Sequence, residues 1–438
     1  MKLLVGYARV DITPTEPMPL AGYGNHFSRI SQNILDPLYS TCMAFTGENG
    51  ETVLLFHNDL ITSPEEFSIP VRKAISESTG VPFSHILICA THNHSSPFLN
   101  DLTCAPIARF HQFAKEKLVE CAKQALADRK EATLETAKNN TVGLNHVRHY
   151  VLADGSFRGD NFGDLNKSPM VGHTTLSDPE MRIVKFKRAG EKDILLVNWQ
   201  AHPHRTSGGR KYDISSDVVG AMRQALEDQL SCRFIYFSGA SGNLNTSSRI
   251  KEENPVSTYI EHGQALAKCA MEAVFHPVKT GPVKLVERII NEPVCRPTGE
   301  RVADAQKVRE FFLENGPGIE SIKVAEAYGF NSPYAAGALI GHHTMKTDAI
   351  PMPLYVFSIG DVAFVTAPYE MFDTNGKYIR DNSPFDTTII STCANDQNGY
   401  IPSAYGYIHG CYEADTTFFA PGTGEKYANI YVEMLKSL

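Results

Sequence analysis

The chain has 438 residues, of which 42% are hydrophobic and 21% are charged, a balance typical of a globular protein that buries a sizeable core. Its formal net charge is -8 and its lysines and arginines are scattered, so we expect no nucleic acid partner. Apolar runs are too short to span a bilayer, and the 9 cysteines form no C-x-x-C pair, which argues against a cysteine zinc cluster and a disulfide framework.

Short β-rich runs alternate with amphipathic helical stretches along the chain, and most of the runs are continuously apolar, as buried central strands are. The predicted strands are Thr52–His57, His85–Ala90, Asp193–Trp199, Arg233–Phe237, Pro353–Ile359, Val362–Thr366 and Thr387–Thr392. The predicted helices are Ile107–Arg129, Asp217–Leu230, Thr258–Val274, Ala303–Leu313 and Glu425–Leu435. This alternation predicts an α/β fold, a layered sandwich of mixed sheets covered by helices.

The domain organisation is predicted from what the sequence lacks. We find no internal repeat, low-complexity tract or Ser/Pro-rich linker, so a single domain over residues 1–438 is expected. The polar, glycine-rich segment Asp154–Thr174 is expected to be an ordered loop of the active site. The apolar stretch at the N-terminus is too short for a signal peptide, which together with single cysteines predicts a cytoplasmic protein.

Two histidine pairs follow predicted strands. His92 and His94 lie in THNHS after one strand, and His202 and His204 lie in QAHPH after another. If extended geometry persists, alternate side chains share one face, so each pair points into one space. Both pairs can bind metal or can simply be hydrogen-bonded loop residues at a strand end, and the occurrence of two pairs favours the metal.

Glu370 stands where the strand VAFVT runs into a predicted helix. A carboxylate at a helix N-terminus is usually structural, because the helix dipole favours it. Two neutral imidazoles and one carboxylate with an open position are, however, a recurrent arrangement around catalytic Zn²⁺. Glu370 is therefore a candidate third ligand.

A glycine-rich turn, FSGASGNLN, follows the strand RFIYF. Its backbone N–H groups could form a small oxyanion site, with Ser241 and Gly242 contacting the substrate. The turn lacks the G-K-[ST] of a P-loop and the spacing of the G-x-S-x-G nucleophile elbow. A tight structural turn and a nucleophilic Ser241 both stay open as alternatives.

These motifs, in this order, resemble the neutral/alkaline non-lysosomal ceramidases, a family of zinc amide hydrolases. The matching stretches include GYARVDITP (6–14), ATHNHSSP (90–97), NWQAHP (198–203), APYEMF (367–372), CANDQNGYIPS (393–403) and YEADTTFFAPGTGE (412–425). The resemblance implies that His92, His202, Glu370 and Tyr400 ligate Zn²⁺. Tyr400 is implied by the resemblance alone, since residue type and spacing indicate only a loop or core aromatic.

The sequence departs from the family pattern in three places. The stretch that carries a serine in ceramidases ends here in Asn245, which cannot be a hydroxyl nucleophile, so attack by water is the expected mechanism. An N-R motif appears as Asn145 and His146, with Arg148 two residues later. We expect no counterpart of the C-terminal β-sandwich domain of full-length ceramidases, which leaves the substrate open between a ceramide-like lipid and another small amide.

The expected reaction is hydrolysis of an amide by metal-activated water. His94 would protonate the leaving amine, while Asn245, the glycine turn and Tyr400 would hydrogen-bond the oxyanion. His204, Arg148 and His146 are the candidates for holding a polar group of a small-molecule or lipid-like amide. Two alternatives remain: a metal-free serine hydrolase using Ser241, a histidine and Asp396 or Asp59, and a non-catalytic zinc-binding protein.

Overall fold

The computed structural model describes residues 2–23, 26–159, 168–297, 299–316 and 318–438, with the side chains of 207 and 208 left out. Residues 160–167 of the segment Asp154–Thr174, which we expect to form an active-site loop, lie outside the described residues. In the described ranges, no helix combines the length and the apolar character needed to cross a membrane.

The first part of the chain builds four strands of one sheet, one short strand outside that sheet and two long helices. Its elements are β1 (Leu4–Asp11), β2 (Asn33–Ile34), β3 (Tyr39–Thr46), β4 (Thr52–Asn58), α1 (Glu65–Thr79), β5 (Ile86–Ala90) and α2 (Ala105–Ala127). β1, β3 and β4 pair antiparallel, and β5 returns parallel to β4 after the crossover through α1. Such a crossover needs a helix, because parallel strands cannot be joined by a tight turn.

The second part repeats this order. Its elements are β6 (Lys130–Asn140), β7 (His146–Val147), β8 (His149–Leu152), β9 (Phe157–Gly159), β10 (Met170–His173), β11 (Glu180–Arg188), β12 (Ile194–Trp199), α3 (Ser207–Arg210), β13 (Asp213–Ile214), α4 (Asp217–Leu230), β14 (Arg233–Ser238), β15 (Leu244–Asn245), α5 (Tyr259–Met271) and β16 (His276–Val278). β6, β11 and β12 pair antiparallel, and β14 is parallel to β12 after α4.

The third part follows the same order again. Its elements are β17 (Val283–Pro293), α6 (Gly299–Asn315), α7 (Ile319–Ala327), α8 (Pro333–Thr344), β18 (Ala349–Ile359), β19 (Val362–Thr366), β20 (Glu370–Met371), α9 (Asp373–Asp381), β21 (Thr387–Ser391), β22 (Tyr400–Ile401), α10 (Ala404–His409), α11 (Tyr412–Thr416) and α12 (Thr423–Lys436). β17, β18 and β19 pair antiparallel, and β21 is parallel to β19 after α9. The described elements thus repeat one topology three times, a repeat that the sequence does not display.

The three units form two stacked sheets. β1 pairs with β6 and joins the first two units into a nine-stranded sheet, while the third unit forms a four-stranded sheet. The facing sides of the two sheets share one apolar cluster that includes Phe45, Phe186, Phe237, Phe357 and Phe364. Alternate residues of the same strands point the other way and pack under helices, α1 and α2, α4 and α5, or α9 and α12. The layers confirm the predicted sandwich and explain why the predicted strands are apolar on both faces.

Each unit also carries an insertion between its first and second strands, at residues 12–38, 141–179 and 294–348. Because the first two strands are antiparallel, all three insertions leave their sheets at the edge where β4, β12 and β19 end. Ligand sites of open α/β sheets lie outside such carboxyl ends. The topology therefore indicates a site at this edge, covered by the insertions.

Candidate metal centre and active site

The four predicted metal ligands all follow strand ends at this edge. His92 comes two residues after β5 and His202 three residues after β12, while Glu370 and Tyr400 begin β20 and β22. β20 and β22 are parallel, and Glu370 and Tyr400 are register partners in that pair. The three units thus converge at one place.

One oxygen of Glu370 lies between two imidazoles. The Nε2 atoms of His92 and His202 are both 3.1 Å from Glu370 Oε2. The other nitrogen of each ring faces a backbone carbonyl: His92 Nδ1 lies 2.8 Å from Ile61 O, and His202 Nδ1 lies 2.9 Å from Leu244 O. A carbonyl can only accept, so each Nδ1 carries a proton and donates it.

These contacts fit a cation between the three side chains. Burial and the neighbouring Arg148 lower the pKa of His202 to about 3, so its ring is neutral and Nε2 is a bare lone pair. Burial alone would raise the pKa of Glu370, but His92 and His202 hold it well below its usual value. Burial would lower the pKa of His92, but Glu370 raises it well above its usual value, and an Arg148 nitrogen lies 3.4 Å from His202 Nε2, so positive charge is drawn to this carboxylate. A metal ion bound between the three side chains would take the place of the His92 proton. Histidine ligands of zinc also donate their second N–H to a carbonyl, as both rings do here.

The backbone around His92 is not extended, contrary to the geometry from which we predicted a shared face for the pair. His92 has φ of 63° and Cys393, whose Sγ is 3.4 Å from His92 Nδ1, has φ of 54°. Both residues occupy the left-handed region, which costs about 1–3 kcal/mol each and is common at functional sites. The left-handed turn, not strand alternation, brings the rings of His92 and His94 within 5.3 Å.

His94 lies beside the two imidazoles. Its ring centroid is 5.3 Å from that of His92 and 5.5 Å from that of His202. Neither ring nitrogen has a hydrogen-bond partner among the described residues, and burial with the neighbouring histidines lowers its pKa well below the usual value. One nitrogen each of His92, His94 and His202 can be chosen so that all lie within 4.8 Å. His94 is therefore within reach of both roles, ligand and proton carrier.

Arg148 enters the site from the second insertion. Its guanidinium donates to Tyr400 Oη at 3.1 Å and to Gly242 O at 2.9 Å, and one nitrogen is 3.4 Å from His202 Nε2. The buried Glu413 holds this group in place, accepting from Arg148 Nε at 2.5 Å. The structure thus brings the predicted arginine to the predicted ligands.

The glycine-rich turn supports the ligands through its backbone. Gly242 donates its N–H to Met371 O at 2.8 Å. This N–H is therefore not available for the oxyanion contact that we expected from the sequence. A Cβ at Gly242 would lie 3.0 Å from Glu370 O, so glycine allows the turn to approach β20 closely. The carbonyl of Ser241 lies 3.0 Å from His202 Nδ1, and Asn245 pairs with His202 in a parallel bridge.

The carboxylates considered for a serine triad are engaged elsewhere. Asp59 accepts two hydrogen bonds from Arg223, at 2.8 and 2.6 Å, and Asp396 accepts from the backbone N–H of Glu65 at 3.2 Å. Within the described ranges, neither carboxylate hydrogen-bonds a histidine. The geometry does not support a triad through Asp59 or Asp396.

The remaining predicted residues fall in two places. The ring of His204 lies 5.7 Å from that of His94, at the border of the site. His146 instead donates from Nε2 to Gly143 O at 3.1 Å and belongs to a second cluster with His173 and Glu253. Its backbone is the register partner of Asn245, so only its strand, not its ring, joins the first site.

Sequence reasoning missed three supporting residues. Gln397 donates to Glu370 Oε1 at 3.0 Å, Glu413 holds Arg148, and Gly22 packs against His94. Gln397 and Glu413 lie in CANDQNGYIPS and YEADTTFFAPGTGE, two of the stretches on which the family resemblance rests. Their presence there is the signal that could have found them.

Solved structures that are similar to the chain include two ceramidases. Neutral ceramidase from Pseudomonas aeruginosa matches with a TM-score of 0.75 and 16% identity, over 99% of this chain and 74% of that one. A ceramidase complexed with C2 matches with a TM-score of 0.70 and 16% identity, over 99% of this chain and 75% of that one. No protein-family model and no curated protein matches the sequence. The chain therefore has the neutral ceramidase fold, which confirms the resemblance at the level of the fold.

Proposed function

We propose that this protein is a zinc-dependent hydrolase that cleaves the carbon–nitrogen bond of an N-acyl amide, with His92, His202, Glu370 and Tyr400 as ligands of Zn²⁺. The observation that carries the proposal is the contact of His92 Nε2 and His202 Nε2 with one oxygen of Glu370, both at 3.1 Å. Two imidazoles and a carboxylate are a donor set that zinc prefers. The backbone carbonyls that fix both tautomers support this assignment.

Tyr400 is the fourth proposed ligand because of its position beside Glu370. The two residues are partners across β20 and β22, and Arg148 donates to the phenol oxygen at 3.1 Å. That donation leaves the oxygen a lone pair for a cation. Tyrosine is an uncommon zinc ligand, so this assignment rests on the pairing and on the family resemblance.

The proposed chemistry divides between the metal and the side chains around it. Zn²⁺ bound here supplies a Lewis acid and lowers the pKa of water to about 7. His94 has a neutral ring whose nitrogens have no partner in the described structure, so it would take a proton from the attacking water and pass it to the nitrogen of the leaving amine. An amine leaves slowly without that proton, and general acid catalysis contributes typically 10²–10⁴-fold.

Side chains, not the backbone turn, are the proposed donors to the oxyanion. Gly242 has already donated its N–H, which leaves the Asn245 amide and Tyr400 hydroxyl as candidates. Arg148 and His204 border the same space and hold a polar group of the substrate. Ser241 and Gly242 line the substrate from the turn but act mainly by positioning His202 and Glu370.

The substrate class is proposed as a lipid-like N-acyl amide, because both structural neighbours are described as ceramidases and share the fold across the whole chain. The test is turnover of a panel of N-acyl sphingoid bases, N-acyl amino acids, lactams and matched esters, with and without a chelator. We expect amide cleavage that the chelator abolishes and added Zn²⁺ restores. Chelator-resistant cleavage with labelling by a fluorophosphonate would support the serine alternative instead. Zinc binding without turnover of any compound would support the non-catalytic one.

A further inference from the structure

We propose that His146, His173 and Glu253 form a second site for a divalent transition metal such as Zn²⁺, separate from the centre around Glu370. His173 Nε2 lies 2.7 Å and His146 Nδ1 lies 3.8 Å from Glu253 Oε2. One ligand atom from each residue can be chosen so that all lie within 4.8 Å of one another. Tetrahedral zinc with bonds of 2.0–2.1 Å separates its ligand atoms by about 3.4 Å, so small side-chain shifts suffice.

The hydrogen bonds around this cluster turn one nitrogen of each imidazole toward Glu253. His146 Nε2 donates to Gly143 O at 3.1 Å, and His173 Nδ1 donates to Val147 O at 2.5 Å. The second nitrogen of each ring, His146 Nδ1 and His173 Nε2, faces the Glu253 carboxylate, and a bound metal ion would displace any proton that this nitrogen carries. The pKa of His146 is lowered, chiefly by burial, which favours its neutral ring. The same pattern, with a backbone carbonyl behind each imidazole, is found at the first centre.

The accessibility of the cluster suits a metal that exchanges with solvent. The side chains of His146 and His173 are 7% and 16% exposed, whereas that of Glu253 is 34% exposed. The carboxylate thus stands at the entry to a pair of nearly buried imidazoles. Two imidazoles and a carboxylate favour zinc and its transition-metal neighbours over Mg²⁺ or Ca²⁺, which prefer all-oxygen sites.

The site would join segments that are far apart in sequence. His146 belongs to β7, His173 ends β10, and Glu253 lies in the segment that follows β15. β7 pairs with β15, and Arg148 follows β7 directly. An ion at this cluster would therefore fix the insertion that carries Arg148 against the glycine-rich turn.

The test is a titration of the demetallated full-length chain with Zn²⁺ alone, followed by native mass spectrometry. We expect wild type to bind two ions, Glu253→Gln and His92→Ala one each, and the double variant none. Glu252→Gln is the matched control, because Glu252 is the exposed neighbour of Glu253. This variant should bind two ions, as wild type does. His173→Ala should repeat the loss seen for Glu253→Gln, and circular dichroism checks that both variants fold.

A second measurement isolates the proposed site. In the His92→Ala background, Zn²⁺ should raise the melting temperature, and the additional Glu253→Gln substitution should remove that shift. If Glu253→Gln and His173→Ala bind as many ions as Glu252→Gln, the proposal is wrong and the cluster is an imidazolium–carboxylate pair. If Glu253→Gln loses one ion but His92→Ala binds two ions, as wild type does, the proposed function is wrong while the second site is supported.

Discussion

At the scale of single residues, the proposed centre depends on which nitrogen of each histidine carries a proton. His92 and His202 use Nδ1 to donate to backbone carbonyls, so both present Nε2 to Glu370. The sequence identified these residues by type and by position after strands. It could not predict the tautomers, because the accepting carbonyls of Ile61 and Leu244 come from distant segments. The resemblance to ceramidases named Tyr400, which spacing rules do not reach.

His94 provides the sharpest test of roles within the centre. We expect His94→Ala to retain zinc and to lose about 10²–10⁴-fold in kcat, because the proton for the leaving amine is gone. Metal analysis and amide turnover on the same sample measure both effects. Loss of zinc together with activity would instead make His94 a ligand.

Glu413 is the buried counter-ion of the site. It accepts from Arg148 at 2.5 Å and from His149 at 2.7 Å, and these two residues hold its pKa well below the usual value despite burial. Glu413→Gln should lower the free energy of unfolding by roughly 3–5 kcal/mol, because Arg148 is left as an uncompensated buried charge. Urea denaturation measures this change.

The matched control for Glu413 is a surface pair. Glu320 contacts Lys323 on α7, and their side chains are 65% and 54% exposed. Glu320→Gln should change the free energy of unfolding by less than about 1 kcal/mol. Equal losses for the two variants would show that Glu413 does not act as a buried counter-ion.

At the scale of elements, the insertions place side chains over the strand ends. Gly22, in the first insertion, has φ of 111°, and a Cβ there would lie 2.7 Å from the His94 ring. Gly22→Ala should lower the free energy of unfolding, because alanine is strained at this φ and because overpacking costs about 1–3 kcal/mol. The substitution should also reduce turnover, since the added methyl group displaces His94. Gly155→Ala is the control, since Gly155 has φ of 81° and open space around its Cβ. Similar stability and turnover for the two variants would exclude the contact with His94.

A buried histidine in the third insertion makes the stability of the protein depend on pH. Burial lowers the pKa of His342 on α8 to about 4, where its ring packs 4.3 Å from Phe418. Between pH 6.5 and 4 the unfolded chain binds the proton and the folded chain does not, so stability falls as the pH falls through this range. The free energy of unfolding is then about 3 kcal/mol lower at pH 4 than at neutral pH, because each unit of pKa difference corresponds to about 1.36 kcal/mol.

The measurement for His342 is urea denaturation at pH 7 and pH 4.5. The free energy of unfolding should differ less between the two pH values in His342→Leu than in wild type, because the titrating group is gone. His343→Leu is the control, since this neighbouring histidine is exposed. An unchanged pH dependence in His342→Leu would contradict the assignment.

The strands that sequence patterns predicted are continuously apolar and buried on both faces, and the predicted helices are amphipathic. All seven predicted strands and all five predicted helices are present, with ends shifted by a few residues. The first strand of each unit was missed, and so were β3 and β11. β6, β11 and β17 carry several charged residues, whereas β1 and β3 are largely buried but have polar residues that interrupt the apolar run. Among the helices, α1, α7, α8 and α9 were missed as well, and in α1 Pro70 interrupts the helical pattern. Tertiary pairing decides these elements rather than local periodicity.

At the scale of the whole molecule, one topology occurs three times and the proposed ligands come from all three copies. His92 belongs to the first unit, His202 to the second, and Glu370 and Tyr400 to the third. The sequence does not show this repeat, since the insertions differ in length and content and obscure any common spacing. The two stacked sheets bring the carboxyl ends of β5, β12 and β19 to one edge, and the site follows from that convergence.

The most direct test of the central claim measures zinc content and amide turnover on the same preparations of wild type, His92→Ala and the control His85→Ala. His85 is a suitable control because its ring faces Glu51 near the surface, away from the proposed centre. We predict that His92→Ala holds one zinc ion fewer than wild type and loses amide turnover, whereas His85→Ala keeps both. Equal zinc content in wild type and His92→Ala, or full turnover by His92→Ala, would contradict a catalytic zinc centre at the converging strand ends.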